Sequence, residues 1–144
     1  MNRASGNFSE TQVRVRYAET DQMSVVYHAN YLVWFEVGRV ELFRQLGLDY
    51  KRMEIEQDLA VVVVEARVRF KSPARYDDLL TIRARVTHLR RFVLHFGYEV
   101  VRAADGVLLA TGETIHVVTN RKMEKRSLPP ECEATLRQAM AGAA

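Results

Sequence analysis

Apolar positions in this chain of 144 residues fall into one stretch with helical spacing and several with strict alternation. The helical stretch runs from Asn30 to Leu46, with Tyr31, Leu32, Phe35, Val40, Leu42, Phe43 and Leu46 as its apolar positions and Gly47 as its C-terminal stop. That span predicts about 25 Å of helix. Its first two turns are apolar nearly all the way round (Tyr31, Leu32, Val33, Trp34, Phe35, Val37), which predicts a buried helix.

Alternation marks the strands. Gln12 to Tyr17 sets Val13 and Val15 against Arg14 and Arg16. After a charged, weakly helical connection from Leu48 to Gln57, an apolar run from Leu59 to Val64 passes into Glu65–Lys71, where Ala66, Val68 and Phe70 are expected to face inward until Pro73 ends the strand. Asp77-Asp78 reads as a turn, followed by Leu80, Ile82, Ala84 and Val86 on one face of the next strand. Arg90-Arg91 interrupts before Phe92, Leu94, Phe96, Tyr98 and Val100. Ala104-Asp105-Gly106 is a hairpin turn, because Asp-Gly supplies positive φ. Val107 to Thr119 is the last strand, and the basic tail after Asn120 predicts a short amphipathic helix over Glu131–Met140.

One apolar helix and a series of strands joined by short turns predict an antiparallel sheet with its apolar face on the helix, an α+β domain. The length suits a single domain over 1–144, with residues 1–10 and 127–144 read as peripheral tails. No apolar run is long enough to insert in a membrane, and the N-terminus lacks the apolar core of a signal peptide. Together with a lone cysteine, Cys132, these features predict a cytoplasmic protein. Glu131 and Glu133 flank Cys132 and disfavour its thiolate, so it is a poor nucleophile. The net charge is +3, with 17 Arg against 4 Lys, which slightly favours forked contacts to phosphate, while most of these arginines fall on alternate strand positions, where the ordinary reading is a solvated sheet face. Nucleic-acid binding is not expected, since neither a concentrated basic helix nor an aromatic-studded strand appears. His88, His95 and His116 lack metal-ligand spacing, and there is no nucleophile elbow or P-loop.

Candidate chemistry gathers just before the helix. Asp21, His28 and Asn30 stand at its N-terminal mouth, where free N–H groups and the helix dipole favour developing negative charge. Taken alone, Asp21 reads as a turn cap, His28 as a structural hydrogen-bonder and Asn30 as the helix N-cap.

The run Tyr17-x-x-x-Asp21, then Val25-Val26-Tyr27-His28-Ala29-Asn30-Tyr31 and Trp34-Phe35-Glu36, resembles the signature of the hot-dog-fold acyl-CoA thioesterases. It is most similar to the 4-hydroxybenzoyl-CoA thioesterase family and its Tol–Pal-associated bacterial members. The likeness is dense over residues 17 to 47 and becomes a looser strand pattern to about residue 119. Ser24 departs from it, standing where the family usually has Gly; a positive φ there suits Ser less well.

The resemblance implies a curled antiparallel sheet wrapped around one long central helix, pairing of two such units into a homodimer or homotetramer, and active sites at the dimer interface. It makes Asp21 the catalytic carboxylate, as nucleophile or general base on an acyl-CoA thioester. His28 would orient Asp21, water or thioester, and its backbone N–H would donate to the thioester oxygen. Tyr17 would hydrogen-bond the carboxylate or simply pack beside it. Arg90 and Arg91 would meet the coenzyme A phosphates. No cofactor is implied, coenzyme A being part of the substrate. Two alternatives stay open: a hot-dog hydroxyacyl-thioester dehydratase using Glu36 or Glu41 on the helix, and a non-catalytic acyl-CoA sensor or scaffold.

Overall fold

The computed structural model describes residues 8–142. Its strands are β1 (Ser9–Arg14), β2 (Ala60–Phe70), β3 (Leu79–Arg90), β4 (Val93–Arg102) and β5 (Leu108–Thr119). They form one sheet in the order β1-β3-β4-β5-β2, every neighbouring pair antiparallel. The helices are α1 (Asn30–Gln45), α2 (Tyr50–Glu56) and α3 (Pro130–Ala141). The sheet curls around α1, which is the hot-dog fold.

Alternation in the central strands explains why the sheet faces α1. Leu80, Ile82 and Ala84 of β3 and Leu94, Phe96, Tyr98 and Val100 of β4 are all buried. From the helix come Tyr31, Trp34, Phe35, Leu42 and Phe43. Phe35 lies flat on Tyr98, with ring centroids 4.2 Å apart and planes 4° from parallel. The approach is this close because β5 has Gly112 beneath the ring; a Cβ there would overlap Phe35 and stand 2.8 Å from the Arg67 carbonyl oxygen. Gly47 closes α1 as predicted: at φ +80° its N–H reaches the Arg44 carbonyl at 3.0 Å, while the Leu48 N–H reaches that of Phe43 at 2.9 Å.

Several expectations change. The first strand is Ser9–Arg14 rather than Gln12–Tyr17, so residues 9 and 10 of the expected frayed lead are in the sheet; residues 1–7 lie outside the described residues. Polar ties hold it there, Ser9 Oγ to Gln45 Oε1 at 2.6 Å and Gln45 Nε2 to the Glu10 carbonyl at 3.0 Å. Asn30 does not cap the helix with its side chain; its Nδ2 donates instead to the Glu19 carbonyl at 2.9 Å. Ala66 and Phe70 are exposed because β2 is an edge strand, with Phe70 53% accessible. Leu32 and Val33 of α1 are exposed as well, so a single chain does not bury this helix all round. The tail read as peripheral contains α3, which buries Cys132 and Leu136 in the core. Burial there, with Glu131 and Glu133 adding to it, pushes the Cys132 thiol up to about 11, an inert state.

A polar chain also crosses this core. Tyr98 Oη meets Thr114 Oγ1 at 2.6 Å, Thr114 Oγ1 meets His116 Nε2 at 2.8 Å, and His116 Nδ1 lies 3.4 Å from the Val61 carbonyl. Burial, reinforced by the charge of Arg39, lowers the His116 pKa to about 4, so the imidazole is neutral in the fold. In the unfolded chain it titrates near 6.5. The folded pKa is depressed, so His116 gives its full contribution above about pH 6.5 and loses it as pH falls toward 4. Urea unfolding should show a loss of about 2 kcal/mol between pH 7.5 and 5 from this residue, rising to about 3 kcal/mol near pH 4. The variant His116→Gln should show a flatter profile over the same range.

Candidate active site

The loop before α1 is closed by its own backbone. Asp21 N–H donates to the Val25 carbonyl at 2.9 Å and Ser24 N–H to that of Asp21 at 3.0 Å. Asp21 Oδ1 accepts from Met23 N–H at 2.8 Å, a local turn of the kind Asp favours. Ser24 has φ +64°, so the position does adopt the left-handed conformation that glycine takes most readily. Its carbonyl accepts from Arg75 Nη1 at 3.4 Å. Val26 N–H donates to the Ala74 carbonyl and Tyr27 N–H to that of Glu19, both at 2.8 Å. Asp21 is thus held by covalent neighbours and turn bonds while its side chain stays exposed.

At the helix entrance, the N–H groups of Asn30, Tyr31 and Leu32 are used in turn bonds to Tyr27, His28 and Ala29. The N–H groups of His28 and Ala29 have no protein acceptor among the described residues. They are the unspent donors of this helix start. Asp21 and His28 line one depression of about 390 Å³ with Val25, Tyr31, Phe70 and Pro73. The His28 ring packs 4.5 Å from that of Tyr27 and 6.4 Å from that of Phe70. Tyr31 is buried beside them, and that burial raises its phenol pKa, offset in part by the Ala74 backbone.

Tyr17 shares with Asp21 a neighbouring depression of about 590 Å³. It is 78% accessible, packs edge-on against Tyr76 at 5.7 Å, and makes no side-chain hydrogen bond to Asp21.

Arg90 and Arg91 are not brought to this site within one chain. Arg90 ends β3 and Arg91 opens the β3–β4 turn at φ +56°, beside a shallow hollow of about 340 Å³ with His88 and Phe92. Asp21 lies near the other end of β3, so the two places are on the order of 30 Å apart along a strand of this length. His88 faces His95 across the same two strands, with ring centroids at 4.7 Å. Among the helix carboxylates, Glu36 has Arg39 Nη2 at 3.9 Å and Glu41 pairs with Arg44.

Sequence reasoning missed a cavity of about 520 Å³ bounded by α1, α2 and β2. Arg39, Tyr50 and Glu54 line it with Glu36, Phe43 and Phe96. Nothing local marks Arg39 or Tyr50, since each belongs to an ordinary helical pattern.

Residues 15–138 match the family model described as the thioesterase-like superfamily. The chain belongs to this superfamily. Similar members include the putative acyl-CoA thioesterase YneP of Bacillus subtilis, 36% identical over 81% of this chain and 83% of that protein. The acyl-CoA thioester hydrolase YbgC of Escherichia coli is 34% identical over 88% of this chain and 93% of its own. Among solved structures, a DHNA-CoA thioesterase from Staphylococcus aureus superposes with a TM-score of 0.88 at 30% identity, covering 93% of this chain and 91% of that one. The matched span takes in every element from the end of β1 to most of α3, and with them both Asp21 and the Arg39 cavity.

If Tyr17 only packs on Tyr76, its hydroxyl is dispensable in this superfamily member. Tyr17→Phe should keep kcat/KM within about twofold of wild type, whereas Tyr17→Ala, which removes the ring, should lower it further. Steady-state release of free thiol from an acyl-CoA reads both.

Proposed function

We propose that this protein hydrolyses the thioester bond of an acyl-CoA to a free acid and coenzyme A, with Asp21 as the catalytic carboxylate. The observation that carries the reading is the pairing of Asp21, fixed by its own turn, with the unspent His28 and Ala29 N–H groups at one helix entrance. A thioester carbonyl accepting those N–H bonds gains stabilisation as its oxygen becomes an oxyanion. Asp21 either takes a proton from the attacking water or attacks the carbonyl carbon itself, forming an anhydride that water then opens. In both routes coenzyme A leaves as thiolate and is protonated, and no cofactor is consumed. The names of the relatives above support the same substrate class. Within the superfamily, the Asp21-to-Glu36 signature supports placement with the 4-hydroxybenzoyl-CoA and Tol–Pal-associated types. A dehydratase would pair histidine with a helix carboxylate; the neighbours of Glu36 and Glu41 are arginines, which weighs against it.

The working unit in this reading is a dimer paired through β2. This edge strand of 11 residues is exposed along its middle, and Val63, Val64 and Phe70 on it, with Leu32 and Val33 of α1, are left as uncovered apolar side chains. A second copy meets both needs, since antiparallel strands related by a two-fold axis pair with each other. The Phe70 end of β2 carries His28 and Tyr31, while the Ala60 end adjoins Thr119 and the β3–β4 turn. Antiparallel pairing exchanges these ends. Each Asp21 then faces the edge that bears Arg90 and Arg91 of the partner subunit, and substrate held there loses water on the Asp21 side. Higher assembly to a tetramer is compatible with this pairing. No helix among the described residues is long and apolar enough to cross a membrane. Cys132 is a buried free thiol, which supports a reducing compartment and so a cytoplasmic enzyme.

Asp21→Asn should keep the fold and bind acyl-CoA while losing about two orders of magnitude or more in kcat. Glu36→Gln, the helix-carboxylate control, should leave the chemical step in place; the reverse outcome would move the catalytic group to α1. Replacing Arg90 and Arg91 by Ala should raise KM for acyl-CoA more than it lowers kcat. The same protein should act almost normally on a pantetheine thioester, which lacks the nucleotide phosphates. Equal losses on both substrates would make the arginine pair structural.

A further inference from the structure

We infer that Arg39 is a specificity-determining residue that recognises a hydroxyl group on the acyl moiety, in a pocket that serves the partner's Asp21. The inference rests on the thioesterase reading and on pairing through β2.

Its first support is an under-compensated charge. The Arg39 side chain is only 16% accessible, yet its nearest carboxylate, Glu36, lies 3.9 Å away and is itself 68% accessible. A guanidinium so far out of water normally keeps close acceptors, because a buried charge without them is costly. Arg39 lines the cavity of about 520 Å³, where a ligand oxygen would add a closer acceptor than Glu36.

The second support is the polar chain behind it, which has one possible direction. The Val61 carbonyl only accepts, so His116 Nδ1 carries the hydrogen and Nε2 accepts from the Thr114 hydroxyl. Thr114 Oγ1 in turn accepts from the Tyr98 hydroxyl. That leaves the Tyr98 oxygen free to accept, on a side where the Arg39 charge lies close by. Val61 also holds the second donor: its N–H, part of the preceding peptide group, donates to Tyr50 Oη at 3.0 Å, so the Tyr50 hydrogen is free to donate elsewhere. Tyr50 also lines the cavity. A buried run of hydrogen bonds thus reaches from the Val61 carbonyl to Tyr98, near Arg39, while the Val61 N–H holds Tyr50, and both pocket donors keep capacity for a ligand.

The other lining groups choose the ligand. Glu36 and Glu54 would repel an acyl carboxylate. A hydroxyl accepts from Arg39 or Tyr50 and donates to a glutamate, while Val40, Phe43 and Phe96 take the carbon skeleton. Within one chain the pocket is remote from Asp21, because Val61 stands nine residues before Phe70 on β2, roughly 30 Å along an extended strand. Pairing through β2 puts the pocket at the end where the partner's Asp21 arrives.

The test uses matched acyl-CoA pairs that differ by one hydroxyl, one pair aromatic and one aliphatic. Wild type should favour the hydroxylated member of at least one pair by roughly tenfold or more in kcat/KM. Arg39→Met should reduce that preference to about twofold by weakening only the hydroxylated member, and Arg39→Lys should recover part of it. Thr114→Val, which breaks the chain behind Arg39, should move the preference in the same direction. No preference in wild type, or equal losses on both members in Arg39→Met, would overturn the inference. Mixed dimers separate it from the reading on which it rests. Asp21→Asn and Arg39→Met chains refolded together at equal amounts should regain about a quarter of the wild-type rate on the hydroxylated substrate, since half the dimers then hold one intact site. Absence of that recovery, with each homodimer behaving as expected, would put Arg39 and Asp21 in separate sites. An Asp21→Asn homodimer that stayed active would instead refute the Asp21 assignment and leave the Arg39 preference to be judged by the matched pairs.

Discussion

Phe35 lying flat on Tyr98 is the contact to which the rest of the molecule is referred. A helix can rest on a sheet at many rotations, but a ring stacked at 4.2 Å over a glycine admits very few. With that rotation set, the start of α1 emerges beside Ala74 and Pro73, where the Asp21 loop is tied, and its middle turns Glu36 and Arg39 toward α2 and β2. The loop and the polar cavity are therefore two consequences of one packing decision. Tyr98 joins them to the core chemistry as well, since the ring that receives Phe35 carries the hydroxyl that leads to Thr114 and His116.

Much of what looks unfinished in the single chain falls along one line. β2 leaves its middle exposed, α1 leaves Leu32 and Val33 uncovered, Asp21 keeps an accessible carboxylate, and the arginine turn lies at the far end of β3 from the Asp21 loop. Each would be an oddity if taken separately. The proposed two-fold axis through β2 would answer all of them with one operation, because antiparallel pairing brings opposite ends of a strand together. The buried polar chain fits the same economy: it keeps a costly neutral histidine in the core while holding donors at a pocket wall.

The sequence by itself determined the elements and the chemical suspects. Period-two alternation in β3 and β4 is a direct imprint of a sheet with one buried face, so those strands were legible residue by residue; Gly47 and Asp105-Gly106 were legible because few residues tolerate positive φ. Asp21 and His28 stood out through a dense local signature, and the structure adds the two free N–H groups beside them. Tertiary structure alone decided what depends on partners distant in the chain. β1 begins early because Ser9 and Glu10 are tied to Gln45, α3 is core because Leu136 and Cys132 are buried in the cluster, and the inward face expected of β2 is exposed because β2 lies at the sheet edge, where no described residue covers it. Arg39 and Tyr50 acquire meaning only when α1, α2 and β2 converge, since a hydrogen-bond chain between residues dozens of positions apart leaves no period in the sequence.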